Sequence, residues 1–395
     1  MIKTIIFFLS LLLSVVFLLS TLINTGILLY KKTKNIEYRQ VKNKQLKSLI
    51  IAVVFIASSI ACIIITQLNV HTPTIGNTSA NPISELIEVN INGKEEWISI
   101  RGKDIDNPIL LFLAGGPGGT QLGAVRRNLA ALEDNFVVVN WEQAGSGKSY
   151  NVMPTKDITI DTYINDGILL TEYLRERFSK DKIYLMGESW GSALGIFMVD
   201  KQPEYYYAFI GTGQMVAFEE TEIVCYELAL QLAEKRGDSK KITALLNNGI
   251  PPYYGNDVAL KSAEYLNYLS NEMAHNTNIH NAGYDTFTDL SSPEYGVLDQ
   301  INFIRGVMVT YSSVYPQLYD VDLRDNYSIL EVPVYFFIGR YDINAPTQLA
   351  EDFYNILKAP DKKLIWFENS GHSPWINESK LFCQKTNELF TQHIN

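Results

Sequence analysis

Two uncharged stretches decide what the first seventy residues can become. Residues 5–30 form a run of 26 without a charge, and residues 48–70 another of 23. In hydrocarbon every backbone N–H and C=O must be bonded within its own segment, so each run has to be a helix. At about 1.5 Å per residue either crosses a hydrocarbon core of about 30 Å. Between them KKTKNIEYRQVKNKQLK, residues 31–47, carries seven Lys or Arg against the single Glu37. Short basic loops stay on the cytoplasmic side. The expectation is a cell-membrane hairpin over residues 1–70, with helices at about 5–30 and 48–70, a basic loop at 31–47 and both ends outside. A cleaved signal peptide fits less well, because the first run exceeds a usual h-region and offers no small-x-small cleavage site.

Everything after Val70 then faces the extracytoplasmic space. HTPTIGNTSANPIS, residues 71–84, is polar and rich in breakers, as a linker leaving the membrane should be. Eight Lys or Arg against one Glu give residues 1–47 a net +7, so residues 48–395 carry −17 of the overall −10. So acidic a domain is a poor partner for nucleic acid. Of the three cysteines Cys62 lies in the second apolar run, leaving Cys225 and Cys383 as the pair that could bridge, too few for a disulfide framework.

From Glu85 onward the pattern is that of an α/β protein. ELIEVNINGKEEWISIRG alternates around Asn92-Gly93, a two-residue hairpin signal. PILLFLAGG is a continuous apolar run, as a strand buried on both faces requires. Residues 121–133 read as helix, 136–141 as strand, 160–178 as amphipathic helix and 182–187 as strand. Such alternation implies a mostly parallel sheet with helices on both faces. It breaks at about Met215, where a tyrosine-rich helical stretch runs to Leu330, then resumes with VPVYFFIGRYD, a helix near 347–358, KKLIWFENSGH and a closing helix from about Glu378. The division expected is a catalytic domain at 85–214 and 331–395 and a helical cap at 215–330, laid over the carboxyl edge of the sheet where such folds bind ligands.

VVVNWEQAGSGKSYN, residues 137–151, ends in Gly-Lys-Ser behind a run of valines and invites a phosphate-loop reading. A P-loop needs its first glycine where this chain has Glu142, whose carboxylate would repel a phosphate, and Pro154 falls where the helix should continue. No nucleotide is expected, nor any cofactor or metal.

MGESWGS, by contrast, sets Gly187-x-Ser189-x-Gly191 between a strand and a helix, the context of a nucleophile elbow. A serine hydroxyl needs a base to take its proton and an acid to orient that base. Of five histidines, His71 is in the linker, His275 and His280 are in the cap, and His393 is near the end of the sequence. His372, directly after the last strand, is the candidate base. Asp342, after the preceding strand, is the candidate acid. Developing negative charge on the substrate carbonyl needs N–H donors. The backbone of Trp190 is one, and LAGGPGG supplies the other, Gly116 with Gly115 in reserve.

AGGPGG, WEQAGSGKS, GESWGS, GRYDINAP and SGHS together resemble the prolyl iminopeptidase group of serine peptidases in the α/β-hydrolase fold, from about residue 85 onward. That family writes His-Gly-Gly-Pro-Gly and Asp-Gln-Arg-Gly-x-Gly-x-Ser where this chain has Ala114, Glu142 and Ala144. The resemblance implies that WEQAGSGKS walls the active site, with Lys148 facing solvent, and that acidic cap residues bind the substrate's free amino terminus. Glu219, Glu220, Glu222 and Glu227 are the candidates. The expected activity is release of N-terminal residues from short peptides by a membrane-anchored serine hydrolase. An esterase or other small acyl hydrolase is the alternative, and a non-catalytic ligand-binding membrane protein the alternative of another class. Oligomeric state is not encoded in any of these features.

Overall fold

A computed structural model describes residues 2–76 and 81–391; His393 and four residues of the linker lie outside them. The chain divides into two compact units, Met1–His71 with Pro293–Gln300, and Thr72–Ser292 with Ile301–Asn395.

In the first unit, helices Ile2–Thr33 and Arg39–Leu68 are both long and apolar enough to cross a membrane. They run antiparallel: Ser10 meets Ser58 (3.4 Å), Ser20 meets Ser48 (3.0 Å) and Gln45 Nε2 donates to Thr25 Oγ1 (2.6 Å). Small and hydroxylated residues thus form the seam, where close approach and hydrogen bonds take over from hydrophobic burial, and large residues such as Leu19, Leu22 and Ile64 point outward. The basic stretch 31–47 is mostly helix rather than loop, with five residues between the two helices. Lys, Arg and Gln are good helix formers, so the backbone continues past the apolar runs. Pro293–Gln300 groups with this hairpin: Val297 N–H donates to Thr66 Oγ1 and Gln67 Nε2 to Asp299 Oδ1, both at 3.2 Å.

The second unit is built on an eight-stranded sheet of order β1-β2-β4-β3-β5-β6-β7-β8. Its strands are β1 Ile83–Ile91, β2 Lys94–Gly102, β3 Ile109–Leu113, β4 Val137–Glu142, β5 Ile183–Glu188, β6 Tyr206–Thr212, β7 Val334–Gly339 and β8 Lys362–Phe367. β1 and β2 form the expected hairpin, turning on Asn92 and Gly93, both at positive φ (52° and 78°). This primed turn matches the strands' twist. β2 pairs antiparallel with β4, and from there to β8 every pairing is parallel.

β3 is buried along its whole length, which its unbroken apolar run permits. Ile109, Leu111 and Leu113 join one core with helices Ile160–Arg177 and Trp190–Lys201. Leu110 and Phe112 join the other with helices Leu122–Asn128 and Ser379–Phe390. Between β6 and β7 the chain is helical, from Phe218–Arg236 through Ser239–Asn248 and Val258–His275 to Leu323–Asn326, with a π-helical turn at Gly306–Thr310. Cys62, Cys225 and Cys383 are all free thiols. The fold is that of an α/β-hydrolase.

Candidate active site

The turn that closes β5 is sterically demanding. Ser189 sits at φ 55°, ψ −122°, and the helix Trp190–Lys201 starts at the next residue. A methyl on Gly187 would lie 2.0 Å from Gly191 O, and one on Gly191 would lie 2.1 Å from Leu113 O, so glycine is required on both sides. Ser189 N–H donates to Thr212 O (3.0 Å), and Ser192 returns bonds from N–H (2.8 Å) and Oγ (2.5 Å) to Ser189 O. These contacts hold a serine in backbone geometry it would otherwise avoid.

Two further strand ends converge here. Asp342 follows β7 and is buried; its Oδ1 accepts N–H bonds from Asn344 and Ala345, both 2.9 Å. His372 follows β8, and its Nδ1 lies 2.9 and 3.1 Å from the two Asp342 oxygens. With Nδ1 committed, Nε2 is the nitrogen left for proton exchange. Burial pushes the imidazole toward neutrality, but the Asp342 charge and hydrogen bond outweigh it with help from Glu188, and the pKa is raised to about 9. Gly213 has no side chain where a methyl would come within 2.9 Å of the His372 ring. Ser189 and His372 line one cavity of about 390 Å³ without a hydrogen bond between them. Catalytic contacts of this kind commonly tighten when substrate seats.

Gly116, at φ 152°, lines the same cavity. Gly115 N–H is committed to Gln121 Oε1 (3.2 Å), whereas among the described residues Gly116 N–H meets no acceptor. At the helix start no side chain caps the N–H groups beginning with Trp190. The Trp190 ring is buried, and its Nε1 donates to Gln143 Oε1 (2.9 Å), which braces the elbow against the loop after β4.

That loop curls around Glu142. The carboxylate accepts from Lys148 N–H (2.5 Å) and from the Thr120 hydroxyl, and a methyl on Gly147 would lie 2.7 Å from it. The space a phosphate would need is filled by the chain's own anion. Lys148 does not face solvent freely; its Nζ lies 4.2 Å above the Trp97 ring.

The four cap glutamates are not brought to the cavity. Glu219, Glu220 and Glu227 are exposed on the helix Phe218–Arg236, and Glu220 pairs with Arg324. Glu222 is buried on the helix's inner stripe, where it accepts from Tyr265, Tyr315 (2.9 Å) and Ser262 (3.3 Å). Burial raises its pKa to about 7 although these hydroxyls oppose the rise. The helical insertion instead lines the cavity with neutral residues, among them Asn267, Ser270, Met273, Tyr284 and Phe303.

One cavity carboxylate escaped the motif reading. Glu188, the last residue of β5, is buried, with Oε1 accepting from Ser373 Oγ and Oε2 from Gln121 Nε2, both at 3.0 Å. Its signal was its place in GESWGS, directly before the elbow.

Over 319 residues the chain is 32% identical to the probable aminopeptidase YbaC of Bacillus subtilis (strain 168), covering 79% of this chain and 98% of that one. The chain belongs to the serine aminopeptidase family. A family model described as serine aminopeptidase, S33, matches residues 122–275 of this chain. The proline iminopeptidase of Saccharolobus solfataricus is 24% identical over 290 residues, 72% of this chain and 86% of that protein. The crystal structure of the proline iminopeptidase of Mycobacterium smegmatis superposes with a TM-score of 0.56 at 17% identity, covering 79% and 98% of the two chains. The protein is a serine hydrolase of the aminopeptidase type.

Proposed function

We propose that this serine aminopeptidase releases N-terminal residues from short peptides through an acyl-enzyme, with its catalytic domain held at the cell membrane by the helical hairpin. Ser189 Oγ attacks the scissile carbonyl while His372 Nε2 takes its proton. The imidazolium, oriented by Asp342, returns that proton to the leaving amine. Gly116 and Trp190 N–H groups stabilise the oxyanion. Water, deprotonated by the same imidazole, then cleaves the ester to free the amino acid and restore the serine. The observation that carries this reading is that His372, paired with the buried Asp342, lines the same cavity as a serine held at positive φ.

A fluorophosphonate probe tests it. Labelling of the full chain that vanishes in Ser189→Ala is expected, and labelling that persists removes the assignment. A chain that binds ligand without reacting would be the non-catalytic ligand-binding protein. The machinery would also cleave esters, so amino-acyl arylamides compared with simple esters and N-acetylated arylamides separate the peptidase from the esterase. The basic residues around the helical turn support a cytoplasmic turn and an extracytoplasmic domain. An impermeant protease added to intact cells should cut the domain and spare the turn; the opposite pattern reverses the orientation.

A further inference from the structure

An aminopeptidase has to recognise a charge that lies one carbon from the bond it breaks. The α-ammonium of the substrate is attached to the carbon next to the scissile carbonyl, so its counter-charge must sit almost against the nucleophile. None of the cap glutamates meets that requirement, since none reaches the cavity.

Glu188 does. It directly precedes Ser189 in the chain, and the same glycine separates the two side chains: a methyl on Gly115 would be 2.5 Å from Glu188 Oε2 and 3.4 Å from Ser189 Cβ. Among the described residues lining the cavity it carries the one carboxylate, and neither Lys nor Arg lines the cavity with it. Each oxygen accepts one bond from a neutral donor, Ser373 Oγ or Gln121 Nε2. A carboxylate offers about four lone-pair sites. Roughly half its accepting capacity is therefore left for a ligand with several N–H groups. A carboxylate removed from water is costly to maintain without a bonded cation; the His372 imidazole feels the Glu188 charge but makes no hydrogen bond to it, and an incoming ammonium supplies that bonded partner.

We infer that Glu188 is the anchor for the substrate's free α-amino group, so that selection for an amino terminus resides at the nucleophile elbow rather than in the helical insertion. The inference rests on the aminopeptidase reading above. It differs from a role in holding the two donors in place, or in supporting the His372 imidazolium, because either of those would affect all substrates alike.

The test measures kcat/KM of the full chain in detergent for pairs that differ in the amino group alone: alanine 4-nitroanilide against propanoyl 4-nitroanilide, and proline 4-nitroanilide against cyclopentanecarbonyl 4-nitroanilide. The wild type should favour the amino member of at least one pair. In Glu188→Gln that preference should fall by about 10- to 100-fold, the size of a hydrogen-bonded contact to a charge. Fluorophosphonate labelling of Ser189 in the variant reports that the elbow is intact. A variant that labels yet keeps the wild-type preference, or loses both members of a pair by the same factor, overturns the anchor and leaves the peptidase standing. A wild type that labels but shows no preference for either amino substrate overturns the aminopeptidase reading itself. Should Glu188→Gln not label, Glu188→Asp, which keeps the charge but withdraws it, replaces it with the same expected fall in preference.

Discussion

Glu188 and Glu222 are both withdrawn from water, yet the sheet edge and the helical insertion put them to opposite uses. Glu222 is closed on every side: three hydroxyls from Tyr265, Tyr315 and Ser262 fill its oxygens, and tyrosine rings surround it. Glu188 faces a cavity and keeps acceptor sites open. Burial alone does not mark a ligand site. Unfilled bonding capacity beside a reactive atom does, and the carboxyl ends of β5, β7 and β8 supply it where the insertion's interior does not.

The contrast can be broken at several points. Asp342→Asn should lower kcat/KM by about 10⁴-fold, because the imidazole loses the group that fixes its tautomer; a loss below tenfold would place the chemistry elsewhere. The pH profile comes next. With the imidazole pKa raised to about 9, the neutral base grows with pH, so log kcat/KM should climb with a slope near one from pH 6 and level off near pH 9. A profile flat from about pH 5 to 8 would contradict the assignment of His372.

Glu222→Gln should leave turnover within a few-fold and act on stability. Burial raises the wild-type carboxyl's pKa to about 7 in the fold, against about 4.5 for an ordinary glutamate. Below 4.5 both states hold the proton and the group has no effect. As pH rises from 4.5 to 7 the unfolded chain ionises first, so the fold loses on the order of 3 kcal/mol by neutral pH. The variant should lack that decline, read as unfolding midpoints at several pH values. A pH-independent difference, or a tenfold fall in activity with unchanged stability, would return Glu222 to the site. Smallest is Lys148→Ala, which removes the contact with Trp97 and should cost about 0.5–1 kcal/mol. A loss of activity there would revive a ligand role for the glycine loop.

The sheet was legible because its strands are short apolar runs between turn formers, and its chemistry sits where those runs stop. Ser189 directly follows β5, and Asp342 and His372 lie in the loops that leave β7 and β8, so locating the strands located them. Rotation about a helix axis is harder to read. Glu219, Glu220, Glu222 and Glu227 lie on one helix, and which of them faces inward depends on the apolar stripe. Phe218, Cys225, Ala229 and Ala233 are buried, and Glu222 falls on their i, i+3, i+4 track while the other three do not. That signal was present in the letters and pointed to burial, not to the cavity. The extent of the two N-terminal helices was hidden for another reason: hydropathy marks where the apolar runs stop, whereas backbone hydrogen bonding continues through lysine and glutamine.

Around Glu142 the loops after β3 and β4 are fastened together by Thr120 and Lys148, and the insertion reaches the same place through Thr310 Oγ1, 2.8 Å from Gly145 O. Loops so tied resist remodelling, since altering one disturbs the other. Descendants of this enzyme would therefore acquire new diets chiefly by rewriting the neutral residues overhead, such as Met273 and Phe303, while the parts that break bonds are inherited unchanged.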